Sequence, residues 1–387
     1  MALPPDFTLL QVTPELETGG AEQTTLDVAN AVIAAGGTAL VATRGGRMAQ
    51  KLTAEGGRLA QMPMQSKNPL VMLGNASRLV DLIRREKVDL VHVRSRAPAF
   101  SALWAAQTTK TPLVATYHGV YNAKSGLKRW YNAVMTKGDF VIANSDYTRR
   151  HVIAEHHLDP DRVVNIPRGV DLQRFEPRLI APSRVETLRR AWGLDPTDHR
   201  VKVLLAGRLT RWKGQALLID AVARLKRRGE SNFLIILAGD DQGRRDYRAE
   251  LERKISAEGL SDNVRIVGHC DDMPAAYLIA DYAAAPSLEP EAFGRTAVEP
   301  QVMGRPVLAA AHGGALETVV HGETGWLVTP GDADAWTDAL AQAVALPAHK
   351  RMTMGEAGRT RTRRLFSVEA MCAAYLDVYA KVLEARR

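Results

Sequence analysis

Short apolar runs alternate with helix-like stretches along the chain, and this alternation limits the possible folds more than any other feature. Apolar runs bounded by glycine, proline or polar residues are typical of buried parallel strands, and the stretches between them are typical of crossover helices. In the first half, strands are expected at 8–12, 39–43, 89–93, 113–117, 140–144 and 163–166. This pattern predicts βα units that form a largely parallel sheet.

The second half repeats the same order after a break, rich in proline and charge, at 175–183. Its strands are expected at 201–206, 233–238, 264–267, 283–286, 306–309 and 326–328. We therefore predict an α/β fold of two Rossmann-like, doubly wound domains that face each other across a cleft. The predicted boundaries are 1–176 for the N-terminal domain, 177–366 for the C-terminal domain, and 367–387 for an amphipathic helix that crosses back to the N-terminal domain.

Length and composition are those of a globular protein with two domains. The 387 residues are 46% hydrophobic and 24% charged, and no apolar run approaches the ~18 residues of a membrane-spanning helix. The first residues lack the basic segment and apolar core of a secretion signal. Two distant cysteines, Cys270 and Cys372, favour neither a disulfide framework nor a zinc site. A cytoplasmic location is expected.

The charge balance narrows the class of ligand. The net charge is +8, and residues 1–175 carry 21 Lys/Arg against 15 Asp/Glu. Such an excess suits phosphate-bearing ligands, anionic membranes or nucleic acid, but only 6% of residues are aromatic and no nucleic-acid-binding motif occurs. No Gly-x-Gly occurs, which argues against a dinucleotide or P-loop site. Asp332 and Asp334 form an Asp-x-Asp that is typical of a helix cap.

Residues 287–299 hold the most informative motif. Glu291 and Glu299 lie on either side of a predicted helix start, where the amides of Phe293, Gly294 and Arg295 offer an anion site. Carboxylates accept hydrogen bonds from vicinal hydroxyls, so two of them around an anion site suit a ligand with a sugar on each side of a diphosphate. That description fits a nucleotide-sugar. The alternative is that Glu291 stabilises the helix dipole and Glu299 is a solvated surface residue.

Two cations follow the first strand of the second half. Arg208 comes after Gly207, and Lys213 precedes Gly214. Together they can neutralise a diphosphate leaving group, Arg208 as a planar fork and Lys213 as a point charge. The alternative for each is an ordinary surface role.

Other candidates also follow predicted strands, where ligands bind in open α/β sheets. His118 and Asn144 follow two core strands, Gly239 ends a third, and Gly19-Gly20 separates the first strand from a helix. A structural alternative is open for three of them: a core histidine for His118, a helix cap at Ser145 next to Asn144, and a tight turn for Gly19-Gly20.

In this order and spacing, the motifs resemble a family 4 retaining glycosyltransferase of the two-Rossmann-domain (GT-B) architecture. The resemblance covers nearly the whole chain. It is carried by the residues at 19–22, 118, 144–145, 166–171, 207–208, 213–214, 239–240, 291–299, 313–314 and 317.

The resemblance implies transfer of a sugar, with retention, from a nucleotide-diphosphate-sugar to a glycan or glycolipid acceptor in lipopolysaccharide or other cell-envelope polysaccharide synthesis. It implies a hexosyltransferase-type enzyme that needs no metal ion and no further cofactor, because fixed cations and helix-end amides stabilise the departing diphosphate. The implied catalytic residues are Glu291, His118, Arg208 and Lys213. The implied donor-binding residues are Gly19, Gly20, Arg208, Lys213, Gly239, His269, Glu291, Ala292, Phe293, Gly294, Arg295 and Glu299.

Two residues depart from the family pattern. Arg168 stands where Asn is usual in the segment 166–171, and Pro300 stands where Ala is usual after Glu299. Neither changes a charged group of the implied donor site, but they concern the hinge and the local helix geometry.

The acceptor is expected on the N-terminal domain. Residues 121–137 mix basic and apolar side chains as an interfacial helix does, and Lys124, Lys128, Arg129 and Asn144 are the candidate acceptor-binding residues. Two interpretations stay open: peripheral contact with the anionic inner face of the plasma membrane and a lipid-linked acceptor, or an ordinary amphipathic helix and a soluble acceptor.

Other functions stay open as well. A sugar-nucleotide epimerase or a phosphorylase could share this architecture, and a catalytically silent nucleotide- or carbohydrate-binding subunit could share the fold. The donor base, which may be uracil, guanine or adenine, is not determined by these motifs.

Overall fold

The structure is a computed structural model that describes residues 3–17, 19–121, 125–243 and 245–386. The chain forms two compact units, the first of Met1–Gly169 with Val368–Arg387 and the second of Val170–Ser367. The division after Gly169 lies earlier than the predicted boundary at 176. The physical reason is that the amide of Val170 donates to the carbonyl of Phe366, within the second unit.

The first unit is built on a seven-stranded parallel sheet. Its strands are Thr8–Val12 (β1), Thr38–Thr43 (β2), Arg58–Gln61 (β3), Leu90–Val93 (β4), Leu113–Tyr117 (β5), Phe140–Ala143 (β6) and Val163–Asn165 (β7), in the order β3-β2-β1-β4-β5-β6-β7. Sequence patterns did not predict β3, because it is a short edge strand whose two end residues are exposed.

Helices cover both faces of this sheet. They are Gly20–Ala34 (α1), Ala49–Ala54 (α2), Pro69–Arg85 (α3), Arg96–Thr109 (α4), Gly126–Ala133 (α5), Asp146–His156 (α6) and the last helix of the chain, Val368–Glu384 (α15). The predicted apolar stripe of α15 is buried at Met371, Tyr375, Val378 and Tyr379. It packs against the core formed by β1, β2 and α1.

The second unit holds a six-stranded parallel sheet. Its strands are Val201–Ala206 (β8), Phe233–Ala238 (β9), Val264–Gly268 (β10), Tyr282–Ala285 (β11), Val307–Ala310 (β12) and Gly325–Val328 (β13), in the order β10-β9-β8-β11-β12-β13. Its helices are Pro182–Ala191 (α7), Gln215–Arg227 (α8), Arg245–Ala257 (α9), Met273–Ile279 (α10), Arg295–Val302 (α11), Ala315–Thr318 (α12), Ala333–Ala345 (α13) and Ala348–Leu365 (α14).

Both sheets are Rossmann-like, as predicted, and each has one point where the strand order reverses. In the first unit this point lies between β1 and β4, and in the second it lies between β8 and β11. Crossover helices leave these two strands in opposite directions, so a crevice opens at their carboxyl ends, where ligands of such sheets bind.

The described helices of both units are too short or too polar to cross a bilayer. Over the ranges that the structure describes, no helix combines the length and the apolar character needed to span a membrane.

Candidate functional site

The loops after β8 and β11 meet closely at the reversal point of the second sheet. After β8 the chain makes a short 3-10 turn, Arg211–Lys213, and α8 then begins beyond Gly214, whose φ is +77°. A Cβ on Gly214 would lie 1.9 Å from the carbonyl oxygen of Pro286. Glycine is therefore required here twice over, for its φ and for its close approach. The result is that Lys213 lies beside the loop that follows β11.

Lys213 forms an ion pair with Glu291 in this crevice. The Lys213 ammonium lies 2.8 Å from Glu291 Oε1, and only 11% and 18% of the two side chains is exposed. The Ser287 hydroxyl donates to the same oxygen at 2.5 Å. The residues expected to bind a diphosphate and a sugar thus bind each other. An ammonium has three N–H donors, so Lys213 can hold Glu291 and still donate to an incoming phosphate.

Ser287 and His312 extend this group, although neither was predicted from the sequence. His312 Nε2 lies 2.9 Å from the carbonyl oxygen of Ser287, and both residues line a small recess with Glu291 and Gly294. Ser287 follows β11 and His312 follows β12. Their positions after two neighbouring parallel strands were the available signal.

The glycine pair Gly313-Gly314 packs against the loop that carries Glu291. A Cβ on Gly313 would lie 2.5 Å from the Glu291 carbonyl oxygen, and one on Gly314 would lie 2.6 Å from Phe293 Cα. The amide of Gly314 donates to the Glu291 carbonyl at 2.8 Å. The pair thus packs against the loop that carries the Glu291 carboxylate.

Helix α11 begins where the anion site was predicted. Gly294 is its N-cap, with φ +82° and no side chain to cap the first turn. The amide of Ala297 donates to the Gly294 carbonyl at 2.9 Å, so an anion site here is limited to the amides that precede Ala297. Phe293 is buried and packs edge-on against Phe366, with ring centroids 5.5 Å apart. Ala292 is half-buried beside it. This packing holds the helix start at the edge of the crevice.

Glu299 lies one turn further along α11 and is 7% exposed. Arg295 pairs with its Oε1 at 2.6 Å, and the Tyr277 hydroxyl donates to Oε2 at 3.4 Å. Burial and the nearby Glu299 carboxylate raise the pKa of Tyr277 well above its usual range. Tyr277 therefore stays protonated as a donor. Glu299 is a buried, oriented carboxylate rather than a solvated surface residue.

Pro300 lies inside α11. Its ring removes the amide that would pair with the carbonyl four residues earlier, but the helix continues to Val302 and the amide of Arg305 donates to the Pro300 carbonyl at 2.8 Å. The departure from the family pattern is therefore accommodated close to the end of a short helix.

Arg208 is exposed at the carboxyl end of β8. Its carbonyl accepts from the Gln215 side chain at 2.9 Å, and Gln215 in turn accepts from the Tyr247 hydroxyl at 3.3 Å. Gln215 is fully buried, so this chain of bonds fixes the backbone of Arg208. The Arg208 guanidinium is left to solvent at the mouth of the crevice.

Gly239 has a clear structural role. A Cβ there would lie 1.8 Å from the carbonyl oxygen of Gly207, so the ends of β8 and β9 can be neighbours only if this residue is glycine. His269, after β10, is exposed and lies 2.9 Å from Asp271. Donor contact by either residue stays a prediction.

In the first unit, His118 follows β5 in a cationic environment. Neither ring nitrogen of His118 has a hydrogen-bond partner among the described residues. Burial, then Arg168 and Arg94, hold the pKa of His118 well below its usual range. The imidazole is therefore neutral at pH 7. The Asn144 side chain donates to the His118 carbonyl at 3.0 Å, and this bond positions the backbone rather than the ring.

Gly19 and Gly20 form the start of α1. Gly19 is the N-cap, makes no side-chain cap bond and is exposed. A Cβ on Gly19 would meet the Glu22 side chain at 2.1 Å, a contact that a flexible side chain can relieve. The Glu22 carboxylate therefore lies beside Gly19 at the start of α1, and donor contact by Gly19 and Gly20 stays a prediction.

The predicted acceptor residues do not form a single group in the structure. Lys128 lines a cavity of about 620 Å³ at the carboxyl edge of the first sheet. Arg129, the next residue on α5, pairs with Glu155 at 2.8 Å instead. Lys124 lies outside the described residues.

Among the residues that the structure describes, no group of three or more His, Cys, Asp or Glu side chains is arranged to hold a metal ion.

Two family models match the chain, one for each unit. Residues 18–174 match the model described as Glycosyltransferase Family 4, and residues 186–361 match the model described as Glycosyl transferases group 1. A relative from Salinispora tropica, named D-inositol 3-phosphate glycosyltransferase, is 34% identical over 261 residues, which is 66% of this chain. The chain spans 53% of the length of that relative.

Solved structures agree over nearly the full length. A glycosyltransferase from Rickettsia africae has a TM-score of 0.89 and 33% identity, covering 98% of this chain and 99% of that one. A protein from Anabaena, solved in complex with UDP and glucose, has a TM-score of 0.80 and 25% identity, covering 97% and 100%. The fold is therefore that of a GT-B glycosyltransferase. The chain belongs to the family of group 1, family 4 glycosyltransferases.

Proposed function

We propose that this glycosyltransferase moves a hexose, with retention, from a nucleotide-diphosphate-sugar bound by the second unit to an acceptor bound by the first. The Lys213–Glu291 pair is the observation that carries this proposal. A nearly buried ammonium and carboxylate at the reversal point of a parallel sheet, next to an uncapped helix start, can bind the phosphate and the hydroxyls of such a donor.

The chemistry follows from these groups. The bond between the sugar C1 and the diphosphate oxygen breaks, and a bond from an acceptor hydroxyl oxygen to C1 forms on the same face. The acceptor proton passes to the departing diphosphate. Lys213, Arg208 and the α11 amides stabilise the negative charge that develops on that leaving group. Since these charges are fixed by the protein, we propose that no metal ion is needed.

We propose a uridine nucleotide as the first donor to test, because the Anabaena protein was solved with UDP. The test is calorimetric titration with UDP, GDP and ADP in the presence of EDTA, repeated with Lys213→Ala. We expect one nucleotide to bind without metal and to lose about 1–3 kcal/mol in the variant, as for a charged hydrogen bond. Binding of none of the three, or equal binding by Lys213→Ala, contradicts this placement of the diphosphate.

The acceptor is proposed to be a glycan or glycolipid of the cell envelope, as in lipopolysaccharide synthesis. An exposed basic and apolar helix supports a membrane-associated acceptor: Leu127 and Trp130 on α5 are 76% and 65% exposed, next to Lys128 and Arg129. Exposed apolar side chains next to basic ones on a single helix are the composition of an interfacial helix. We propose that α5 rests on the anionic inner face of the plasma membrane.

A second acceptor class is favoured by the comparisons. The Salinispora tropica relative is named for transfer to inositol 3-phosphate, so a small soluble sugar phosphate is the alternative to a lipid-linked glycan. Product analysis with the donor found by calorimetry and with each acceptor type separates the two. A sugar-nucleotide epimerase would instead convert the donor with no acceptor present.

A further inference from the structure

A cavity of about 620 Å³ lies in the first unit at the carboxyl ends of three strands. Pro14 follows β1, Ser95 and Arg96 follow β4, and Tyr121 follows β5, and all four line the cavity. The remaining wall comes from α5 and from the segment before α3. The cavity therefore adjoins the reversal point between β1 and β4, where a ligand is expected.

The wall carries three cations. Lys67, Arg96 and Lys128 line the cavity, and no Asp or Glu is among its described lining residues. Lys67 and Lys128 are both exposed, Lys67 on the segment before α3 and Lys128 on α5. Three positive charges around one cavity repel one another unless an anion lies between them.

Arg96 is held in place without being neutralised. Its Nη1 donates to Asn132 Oδ1 at 2.8 Å, and its guanidinium carbon lies 4.0 Å from the centroid of the Tyr121 ring. Both partners are neutral, and the pKa of Tyr121 is raised by burial. The guanidinium thus keeps its full charge and the rest of its five N–H donors for another group.

Another cationic cavity of this unit differs in its charge compensation and in its position on the sheet. It is lined by Lys110, Lys137, Arg162 and Arg386, but Asp139 is also in its wall and pairs with Arg386 at 2.6 Å. It also lies at the amino ends of β5 and β6 rather than at the carboxyl ends. Of these two cavities, only the one around Arg96 combines a wall without Asp or Glu among its described residues with the carboxyl edge of the sheet, where ligands bind.

We propose that this cavity binds an acceptor sugar bearing an anionic group, a phosphate or a carboxylate, with Lys67, Arg96 and Lys128 around the anion and Tyr121 and Tyr131 against the sugar ring. This inference rests on the proposed function, since it names the class of acceptor. Arg96 would supply a planar fork and the two lysines would supply point charges. The aromatic walls would hold the apolar face of a sugar ring.

The test is calorimetric titration with glucose 6-phosphate, glucuronate and glucose at constant ionic strength. It uses protein that carries Lys213→Ala, so that the proposed phosphate site of the second unit does not contribute. We expect glucose 6-phosphate or glucuronate to bind at least about tenfold more tightly than glucose, and the tighter of the two identifies the anion as phosphate or carboxylate. Equal binding of all three overturns the proposal.

Variants assign the binding to the cavity. Lys67→Ala and Lys128→Ala should each weaken binding of the anionic sugar about fivefold, the upper end for an exposed charge. Lys137→Ala, which removes one positive charge from the wall of the other cavity, should change it less than twofold. Arg96→Lys keeps the positive charge but removes the planar guanidinium with its paired N–H donors. This variant should weaken binding more than Lys137→Ala does. Equal effects of Lys67→Ala and Lys137→Ala overturn the assignment.

Titration with UDP, GDP and ADP separates this inference from the proposed function. If Lys67→Ala weakens nucleotide binding as much as it weakens binding of the sugar phosphate, the cavity belongs to the donor and the acceptor assignment fails. If no nucleotide binds but the anionic sugar does, the assignment of the cavity to an anionic acceptor is supported and the donor proposal is contradicted.

Discussion

At the scale of single residues, the crevice of the second unit depends on one buried charge pair. Lys213 and Glu291 neutralise each other while both remain beside the start of α11. In the proposed function, a diphosphate brings negative charge to Lys213, and Glu291 can then accept a hydrogen bond from a sugar hydroxyl. Because each group compensates the charge of the other, neither is left unpaired in a nearly buried position when the donor is absent.

Glu291→Gln tests the separate role of the carboxylate. The variant keeps the shape of the side chain but removes its charge, so Lys213 becomes more available to a phosphate. We expect the nucleotide to bind equally or more tightly and kcat for transfer to fall at least about 100-fold, as for lost transition-state stabilisation. Calorimetry and a transfer assay measure the two effects. A wild type that binds nucleotide but transfers no sugar to any acceptor would instead favour the silent-subunit interpretation.

Gly239→Ala tests a glycine that packing requires. A Cβ would lie 1.8 Å from the Gly207 carbonyl oxygen, and neither backbone can move without separating β8 from β9. We expect a loss of about 2–4 kcal/mol in the free energy of unfolding, in the range of overpacked core sites. Chemical denaturation measures it.

The matched control is Gly74→Ala in α3, where a Cβ meets no atom within 4 Å. Since alanine favours a helix more than glycine does, this variant should gain about 0.5–1 kcal/mol. Similar losses in both variants would show that the contact at Gly239 is not the cause.

At the scale of elements, helix starts carry much of the local chemistry. The Asp332 side chain accepts from the amides of Asp334 and Ala335 at 2.9 and 3.0 Å, at the start of α13. The Asp-x-Asp motif is thus a helix cap, as its sequence context predicts. In contrast, α11 begins at Gly294, which has no side chain to cap the first turn, and the proposed donor phosphate would bind at this helix start.

Asp332→Ala should lower the free energy of unfolding by about 1 kcal/mol, because two first-turn amides lose their acceptor. Asp338→Ala on the same helix removes only an exposed ion pair with Arg228 and should cost less than about 0.5 kcal/mol. Thermal or chemical unfolding compares the two. A larger loss for Asp338→Ala would contradict the cap.

Helix α5 offers a test of the membrane proposal. Co-sedimentation with vesicles that contain about one-third anionic lipid should retain the wild-type protein more than vesicles of neutral lipid do. Trp130→Ala and Leu127→Ala should each weaken binding by about 1–2 kcal/mol, as for loss of a large apolar side chain from an interface. Leu365→Ala, on α14 of the second unit and 39% exposed, is the control. Equal binding to both vesicle types, or equal effects of all three variants, would contradict an interfacial role for α5.

At the scale of the whole molecule, buried histidines make stability depend on pH. Burial and neighbouring cations hold the pKa of His92 and of His118 well below 6.5. The unfolded chain therefore binds protons below about pH 6.5 that the folded chain does not, so stability is greatest above this value and falls as the solution becomes more acidic. His92 bonds to Tyr379 and Thr116 at 2.6 and 2.7 Å, so its protonation would disturb the packing of α15.

His118→Gln should reduce this acid sensitivity. Each buried histidine contributes up to about 1.4 kcal/mol per pH unit below pH 6.5, and the variant removes one such contribution. Denaturation midpoints between pH 5 and 8 measure the slope. His349→Gln, at an exposed position on α14, is the control and should leave the slope unchanged. An equal slope in wild type and His118→Gln would show that the His118 imidazole is already accessible to protons.

Much of the fold follows from local patterns. The six predicted strands of the second unit all exist, with ends that differ by at most a residue or two, because a buried strand needs a short apolar run and a nearby break. The apolar stripe of α15 and the cap at Asp332 are likewise properties of a few adjacent residues. The short edge strand β3 was missed, since partial exposure leaves no apolar run to find.

Motifs after strand ends also predicted that Lys213 and Glu291 lie at the carboxyl edge of the second sheet, because parallel strands bring their carboxyl ends to one edge. The sequence by itself thus determined the two parallel sheets, the family and the general position of these two residues; their role in donor binding stays a proposal. The tertiary structure decided the pairing of Lys213 with Glu291, the packing of Gly313 and Gly314 against the Glu291 loop, and the uncompensated charge of the cavity around Arg96. Each of these depends on atoms far apart in the chain, whose distances are set by packing and charge compensation rather than by any local pattern.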